Sequence, residues 1–155
     1  MIYRNYKKRP NIKELIFFRN FCKKEKRKFI IALYYDLVIK FNLDGFYIPS
    51  FDKNVNYKIL NNKKNYLILG SAHNYKECIK KKLQGINQIF LAPIFKTNKN
   101  NNFLGLYKFK FLCNFIKINI IALGGINEKN YKYTMKLTNA GIASITSIFK
   151  INNNL

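Results

Sequence analysis

Short apolar runs and longer lysine-studded stretches alternate along the whole chain. The runs occupy residues 2–4, 29–33, 45–48, 66–70, 88–93, 118–123 and 141–148. Several are apolar without a break, which marks strands covered on both faces, as in parallel sheets. The stretches between them return an apolar residue every three or four positions, the period of a helix with one buried side. Residues 12–26 do so with Ile12, Leu15, Ile16, Phe18, Phe21 and Cys22. Residues 105–117 do so with Leu106, Phe109, Phe111, Leu112 and Phe115, and residues 128–139 with Tyr131, Met135 and Leu137. Strands alternating with helices fold as a parallel sheet with crossover helices. The expected fold class is α/β, with about seven strands and about six helices. One domain is expected over residues 1–150, with a short tail at 151–155.

Local signals sharpen some boundaries. Asn74 precedes a helix over 75–83 as its N-cap, and Glu77 three positions on completes a capping box. Gly85 suits the cap at the other end. Residues 52–65, dense in asparagine and lysine, are expected to form a surface turn or a short frayed helix.

Hydrophobic residues make up 48% of the 155, enough for a core and too many for global disorder. No apolar run approaches the ~20 residues that span a bilayer. The opening "MIYRNYKKRP" has no apolar leader segment, so a cytoplasmic protein without a membrane partner is expected. Cys22, Cys78 and Cys113 are odd in number and form no CxxC pair, which points to reduced thiols, with Cys22 and Cys113 in helix cores. The net charge is +22, a balance that often signals nucleic acid. Here only Arg4, Arg9, Arg19 and Arg27 are arginines, and the lysines are scattered, so a nucleic-acid partner is not expected. A phosphorylated small molecule needs only a local cluster of charge.

Two strands run directly into loops of the wrong polarity for a core. "IFLAPIFKTNKN" (89–100) carries Thr97 and Lys99 past its C-terminal end, and "INIIALGGIN" (118–127) closes on Gly124 and Gly125. Parallel α/β folds keep their chemistry at these strand ends. Paired glycines let backbone N–H groups approach a ligand, and a helix starting at Asn127 or Glu128 would add its positive end, which suits a phosphate. A plain Gly–Gly turn has the same sequence.

The segments "DGFYIPSFD" (44–52), "LGSAHNYKE" (69–77), "APIFKTNK" (92–99), "IALGGI" (121–126) and "AGIASITSIF" (140–149) follow in this order. Through them the chain resembles the thiamine phosphate synthase and TenI-type thiazole tautomerase superfamily over about residues 2–149. The resemblance implies a TIM-type (β/α) barrel of thiamine biosynthesis. It implies a transferase in which a pyrimidinylmethyl pyrophosphate ionises, with Mg²⁺ on the pyrophosphate, and a thiazole phosphate nitrogen captures the carbocation.

Carried over by residue, the resemblance assigns Ser71, Thr97, Lys99, Gly124, Gly125, Thr146 and Ser147 to substrate binding. Arg4 is what survives of a basic binding strand and takes a catalytic place. Asp52 matches one acid of the family's metal pair, while Leu33 stands where the other would be, so Mg²⁺ is expected to bind weakly. His73, the one histidine, lies two residues after Ser71, where tautomerase members carry an acid/base histidine. It suits proton transfer near neutral pH, or simply begins a helix. Complete barrels of this type need at least ~200 residues. The resemblance begins at the second strand, so the barrel is expected to be incomplete, without the first β/α unit and the last helix. An open barrel exposes strand edges and an apolar seam, which invites a homo-oligomer. Three functions stay open: the synthase, a tautomerase acting through His73, and a non-catalytic relic that binds a phosphorylated ligand.

Overall fold

The computed structural model of the chain describes residues 1–57, 66–98, 101–139 and 141–144. Among them are seven strands: β1 (Ile2–Tyr3), β2 (Ile30–Ala32), β3 (Gly45–Ile48), β4 (Leu67–Ala72), β5 (Gln88–Leu91), β6 (Asn119–Leu123) and β7 (Gly141–Ala143). Five helices alternate with them: α1 (Ile12–Lys24), α2 (Tyr35–Lys40), α3 (Tyr75–Leu83), α4 (Gly105–Phe115) and α5 (Tyr131–Leu137). Every strand pairs in parallel with the next in sequence, so the order is β1-β2-β3-β4-β5-β6-β7. Parallel neighbours joined by right-handed crossovers put every helix on the same face. A sheet wound in one direction curls, and the result is an incomplete TIM-type barrel with helices outside and all strand C-termini at one mouth, as the resemblance implied.

Successive strand residues divide between the two faces. Ile31, Phe46, Ile48, Ile68, Ile89 and Ile120 pack under the helices against Leu15, Val38, Cys78, Phe109 and Leu112. Ile30, Ala32, Tyr47 and Leu69 form a smaller cluster on the concave face, joined by Ile2, Leu67 and Phe90. All three cysteines are free: Cys22 and Cys78 are buried and Cys113 is half-buried. Burial pushes the Cys78 thiol up to about 12 and the Cys113 thiol up to about 11, so both stay protonated and unreactive.

A polar residue before alternate strands locks the register at the barrel floor. The carboxylate of Asp44 accepts from the Phe29 amide at 2.8 Å. The Asn87 side chain accepts from Ile68 N at 2.6 Å, and that of Asn139 from Ile120 N at 2.6 Å. Each spans from one or two residues before a strand to the start of the preceding strand, at β2/β3, β4/β5 and β6/β7. These amides lie beyond the reach of the ladder and would otherwise be unpaired.

Several sequence expectations shift. Helix α2 replaces what had no helical assignment. The last described helix begins at Tyr131, not at Asn127 or Glu128. Asn130 N and Tyr131 N donate to Asn127 O instead, so a turn separates the paired glycines from α5. With seven residues, α5 supplies no helix N-terminus at the glycines. Strand β1 is two residues long, and β7 is described only as Gly141–Ala143. On α1 only Leu15 and Cys22 are buried, while Ile12, Ile16 and Phe21 are exposed. Residues 58–65, within the expected turn at 52–65, lie outside the described residues.

Candidate functional site

The mouth brings the ends of β3, β4 and β5 together around His73. Its Nδ1 lies 2.6 Å from the carbonyl oxygen of Ala92, the residue after β5. A carbonyl only accepts, so Nδ1 carries the proton, and in the neutral ring Nε2 is the acceptor. Ser50, two residues past β3, places Oγ 3.2 Å from Nε2 and donates to it. The backbone at His73 is held as well. Its N–H donates to Glu77 Oε2 at 2.8 Å, while Asn74 Nδ2 donates to Glu77 Oε1 and Glu77 N donates to Asn74 Oδ1. Asn74 caps α3 as expected, but Glu77 reaches back to the N–H of His73 rather than to that of the N-cap residue, so the capping box is modified in a way that also holds the histidine. The ring itself is exposed.

Asp52 turns inward. Its Oδ2 accepts from the Tyr57 hydroxyl at 2.7 Å and its Oδ1 from the Asn54 amide at 3.0 Å. Burial and the adjacent carboxylate push the Tyr57 hydroxyl well above its usual range, so it keeps donating. No group of three metal-ligating side chains occurs among the described residues. Leu33 occupies the second acid's place with φ +68°. A lone carboxylate already holding two donors does not fit the Mg²⁺ site that the resemblance implies.

The loop carrying Ser50 and Asp52 is clamped from α3. Lys81 is 1% exposed, and its Nζ donates to Asp52 O at 2.7 Å and to Gln84 Oε1 at 2.8 Å. Gln84 Nε2 donates to Asp52 O and Asn54 O. Burial lowers the Lys81 ammonium to about 8, against smaller opposing effects of Asp52 and Glu77. Sequence reading passed over Lys81 because it sits in a lysine run. Its signal was helical phase, three residues after buried Cys78.

Gly124 (φ +95°) and Gly125 (φ +69°) pack directly on the loop after β5. A Cβ on Gly124 would meet Pro93 Cα at 2.7 Å, and one on Gly125 would meet Phe95 Cβ and Lys96 O at 2.7 Å. That same loop supplies the Ala92 carbonyl and continues to half-buried Thr97. Ser71 lies in register with Phe90, on the concave face above Leu69. The Arg4 guanidinium stands 5.8 Å over the Tyr47 ring. Tyr6, whose hydroxyl is raised mainly by burial, meets Phe51 edge-on at 5.3 Å. Lys99, Thr146 and Ser147 lie outside the described residues. The cavities divide between the two barrel ends. One of about 520 Å³ lies at the floor, near Asn87 and Asn139. The other, of about 420 Å³, lies between the β3 loop and α3 at the mouth.

The fold is that of the one-way parallel (β/α) barrels, a class in which the C-terminal mouth is the usual place for small-ligand sites. The chain belongs to the thiamine monophosphate synthase family, whose model matches residues 2–148. It is 30% identical over 147 residues to a thiamine-phosphate synthase of Fusobacterium nucleatum, covering 92% of this chain and 68% of that protein. It is also 30% identical over 145 residues to one of Prochlorococcus marinus, spanning 90% of this chain and 40% of that protein. Among solved structures it is similar to thiamine phosphate pyrophosphorylase from Pyrococcus furiosus, with a TM-score of 0.67 at 18% identity over 89% of this chain and 68% of that one. That likeness concerns the fold. No helix among the described residues is long and apolar enough to cross a membrane.

Proposed function

We propose that this chain is a thiamine-phosphate-synthase-type enzyme that binds a phosphorylated thiazole between the ends of β5 and β6. The observation that carries this reading is the Gly124–Gly125 turn seated on the loop that leads to Thr97, in a chain of this family. In the transfer, the thiazole nitrogen bonds to the pyrimidinyl methylene as the C–O bond breaks, and the bonding pair leaves with pyrophosphate. Arg4, whose guanidinium lies over the Tyr47 ring, supplies charge that stabilises the leaving group. A second reading, a thiazole tautomerase acting through His73, is favoured by the ring's single accepting nitrogen and by the internal engagement of Asp52.

Incubation with the phosphorylated thiazole and a pyrimidinylmethyl pyrophosphate tests both readings. The synthase releases pyrophosphate and forms thiamine phosphate. The tautomerase exchanges a thiazole proton for deuterium in D₂O without a second substrate. Either substrate also raises Tm if it binds the native state alone. Neither turnover nor a Tm shift would remove both readings and the relic with them.

A further inference from the structure

We propose that Ser50 is a proton-relay residue, presenting its hydroxyl to a phosphorylated ligand with His73 as the base behind it. The proposal rests on the acid/base reading of His73 and extends it to a residue that no family motif supplies, since the matching motif position there is glutamine rather than serine.

The geometry assigns each proton. Ala92 O fixes the proton of neutral His73 on Nδ1, so the only basic position of the ring is Nε2. That nitrogen is already covered by Ser50 Oγ at 3.2 Å. A ligand therefore reaches the base through the serine. A nucleophile or relay, a base and an orienting acceptor in series is the arrangement that activates hydroxyl groups elsewhere, with a backbone carbonyl here in the orienting place.

Access and charge agree with this assignment. Ser50 lines the mouth cavity of about 420 Å³ together with Lys53, Lys76 and Lys80. The two carboxylates of that cavity are engaged elsewhere: Asp52 by Tyr57 and Asn54, Glu77 by His73 and Asn74. The one ion pair among the described residues joins Arg9 and Asp36, so these three lysines have no acidic partner there. An anionic ligand is drawn to the side of the dyad where the serine stands.

The step balances without any outside reagent. The ligand C–H bond breaks and its electron pair stays on the ligand. That proton moves to Ser50 Oγ as the serine's own proton moves to Nε2. His73 becomes an imidazolium whose Nδ1–H still donates to Ala92 O and whose new Nε2–H donates to Ser50. Reversal at a neighbouring ligand atom completes the isomerisation.

The test uses the full chain labelled with ¹⁵N-histidine, which reports on one ring because His73 is the only histidine. Expected are a protonated Nδ1, an unprotonated Nε2, and a Ser50→Ala variant that moves the Nε2 resonance but not that of Nδ1. With the phosphorylated thiazole in D₂O, Ser50→Ala should slow deuterium uptake at least tenfold while the ligand-induced Tm shift persists. Ser50→Thr, which keeps a hydroxyl, should restore uptake. A major Nε2–H tautomer, or an Nε2 resonance indifferent to Ser50→Ala, overturns the proposal. Equal exchange by parent and Ser50→Ala overturns the relay alone and leaves His73 acting directly. A parent with the expected tautomer that exchanges no ligand proton overturns the acid/base reading, and the relay with it.

Discussion

At Gly125 two physical demands meet at one α-carbon. Its φ of +69° disfavours any side chain, and a Cβ would stand 2.7 Å from Phe95 Cβ and Lys96 O. The backbone conformation alone costs an L-residue about 1–2 kcal/mol, and overpacking adds about 1–3 kcal/mol. Gly105 separates the two, because its φ is +74° with nothing within 4 Å of a Cβ. Gly105→Ala is expected to lose only the backbone part, about 1–2 kcal/mol. Gly125→Ala is expected to lose about 2–5 kcal/mol in urea denaturation, and to displace the loop that bears Thr97, weakening any ligand-induced Tm shift. Equal losses at the two positions would mean that the turn does not rest on that loop. The glycine pair and His73 were legible as residues because turn chemistry and a lone imidazole stand out in a chain of lysine and asparagine. Ser50 was not: it appeared only as a departure from a motif, and its contact with His73 spans 23 positions that no local pattern encodes.

The elements were the most legible level, because an unbroken apolar run and a 3.6-residue period survive this composition. Helix α2 escaped notice because six residues are fewer than two turns and show no period. Two features on elements make testable claims. The floor staples each satisfy an amide at a strand start, so Asn87→Ala and Asn139→Ala should each cost about 1–3 kcal/mol by leaving it unpaired. Exposed Asn114 on α4 serves as the control and should cost little on replacement. Lys81 acts through pH. Its folded ammonium titrates at about 8, and an unfolded lysine at about 10.4. Between these values the unfolded chain holds more protons, so this residue makes stability rise with pH, and below about 8 its buried charge is a constant cost. Removing a lysine also changes the net charge of +22, so the comparison needs an equal charge change. Lys81→Met should flatten the rise in urea midpoint from pH 8 to 10, whereas Lys80→Met, exposed one position earlier, should not. Identical slopes in the two variants would deny Lys81 its special place.

For the whole molecule, shape and charge pull in opposite directions. Among the described residues, strands β1 and β7 are the two ends of the sheet order, each with one neighbour. Open strand ends invite association, but short edges are weak templates, and β1 spans only Ile2–Tyr3. The concave face offers more: Ile2, Leu67 and Phe90 pack on its cluster while only partly buried. Against association stands a net charge of +22. Like charges repel across a Debye length of about 30 Å at 0.01 M salt and about 10 Å at 0.1 M. Salt therefore weakens the repulsion between two copies, while the apolar attraction does not depend on it to first order. The expected outcome is an 18.4 kDa monomer at low salt that becomes a dimer or larger species as salt rises. If the concave face drives this, Phe90→Asp should hold the chain monomeric at both salt levels, read by sedimentation equilibrium. If the strand edge drives it, Phe90→Asp should change nothing, and Ile2→Pro, which removes the amide that β1 turns away from β2, should act instead. A parent that stays monomeric at high salt would mean that neither surface is sticky enough to hold a second copy.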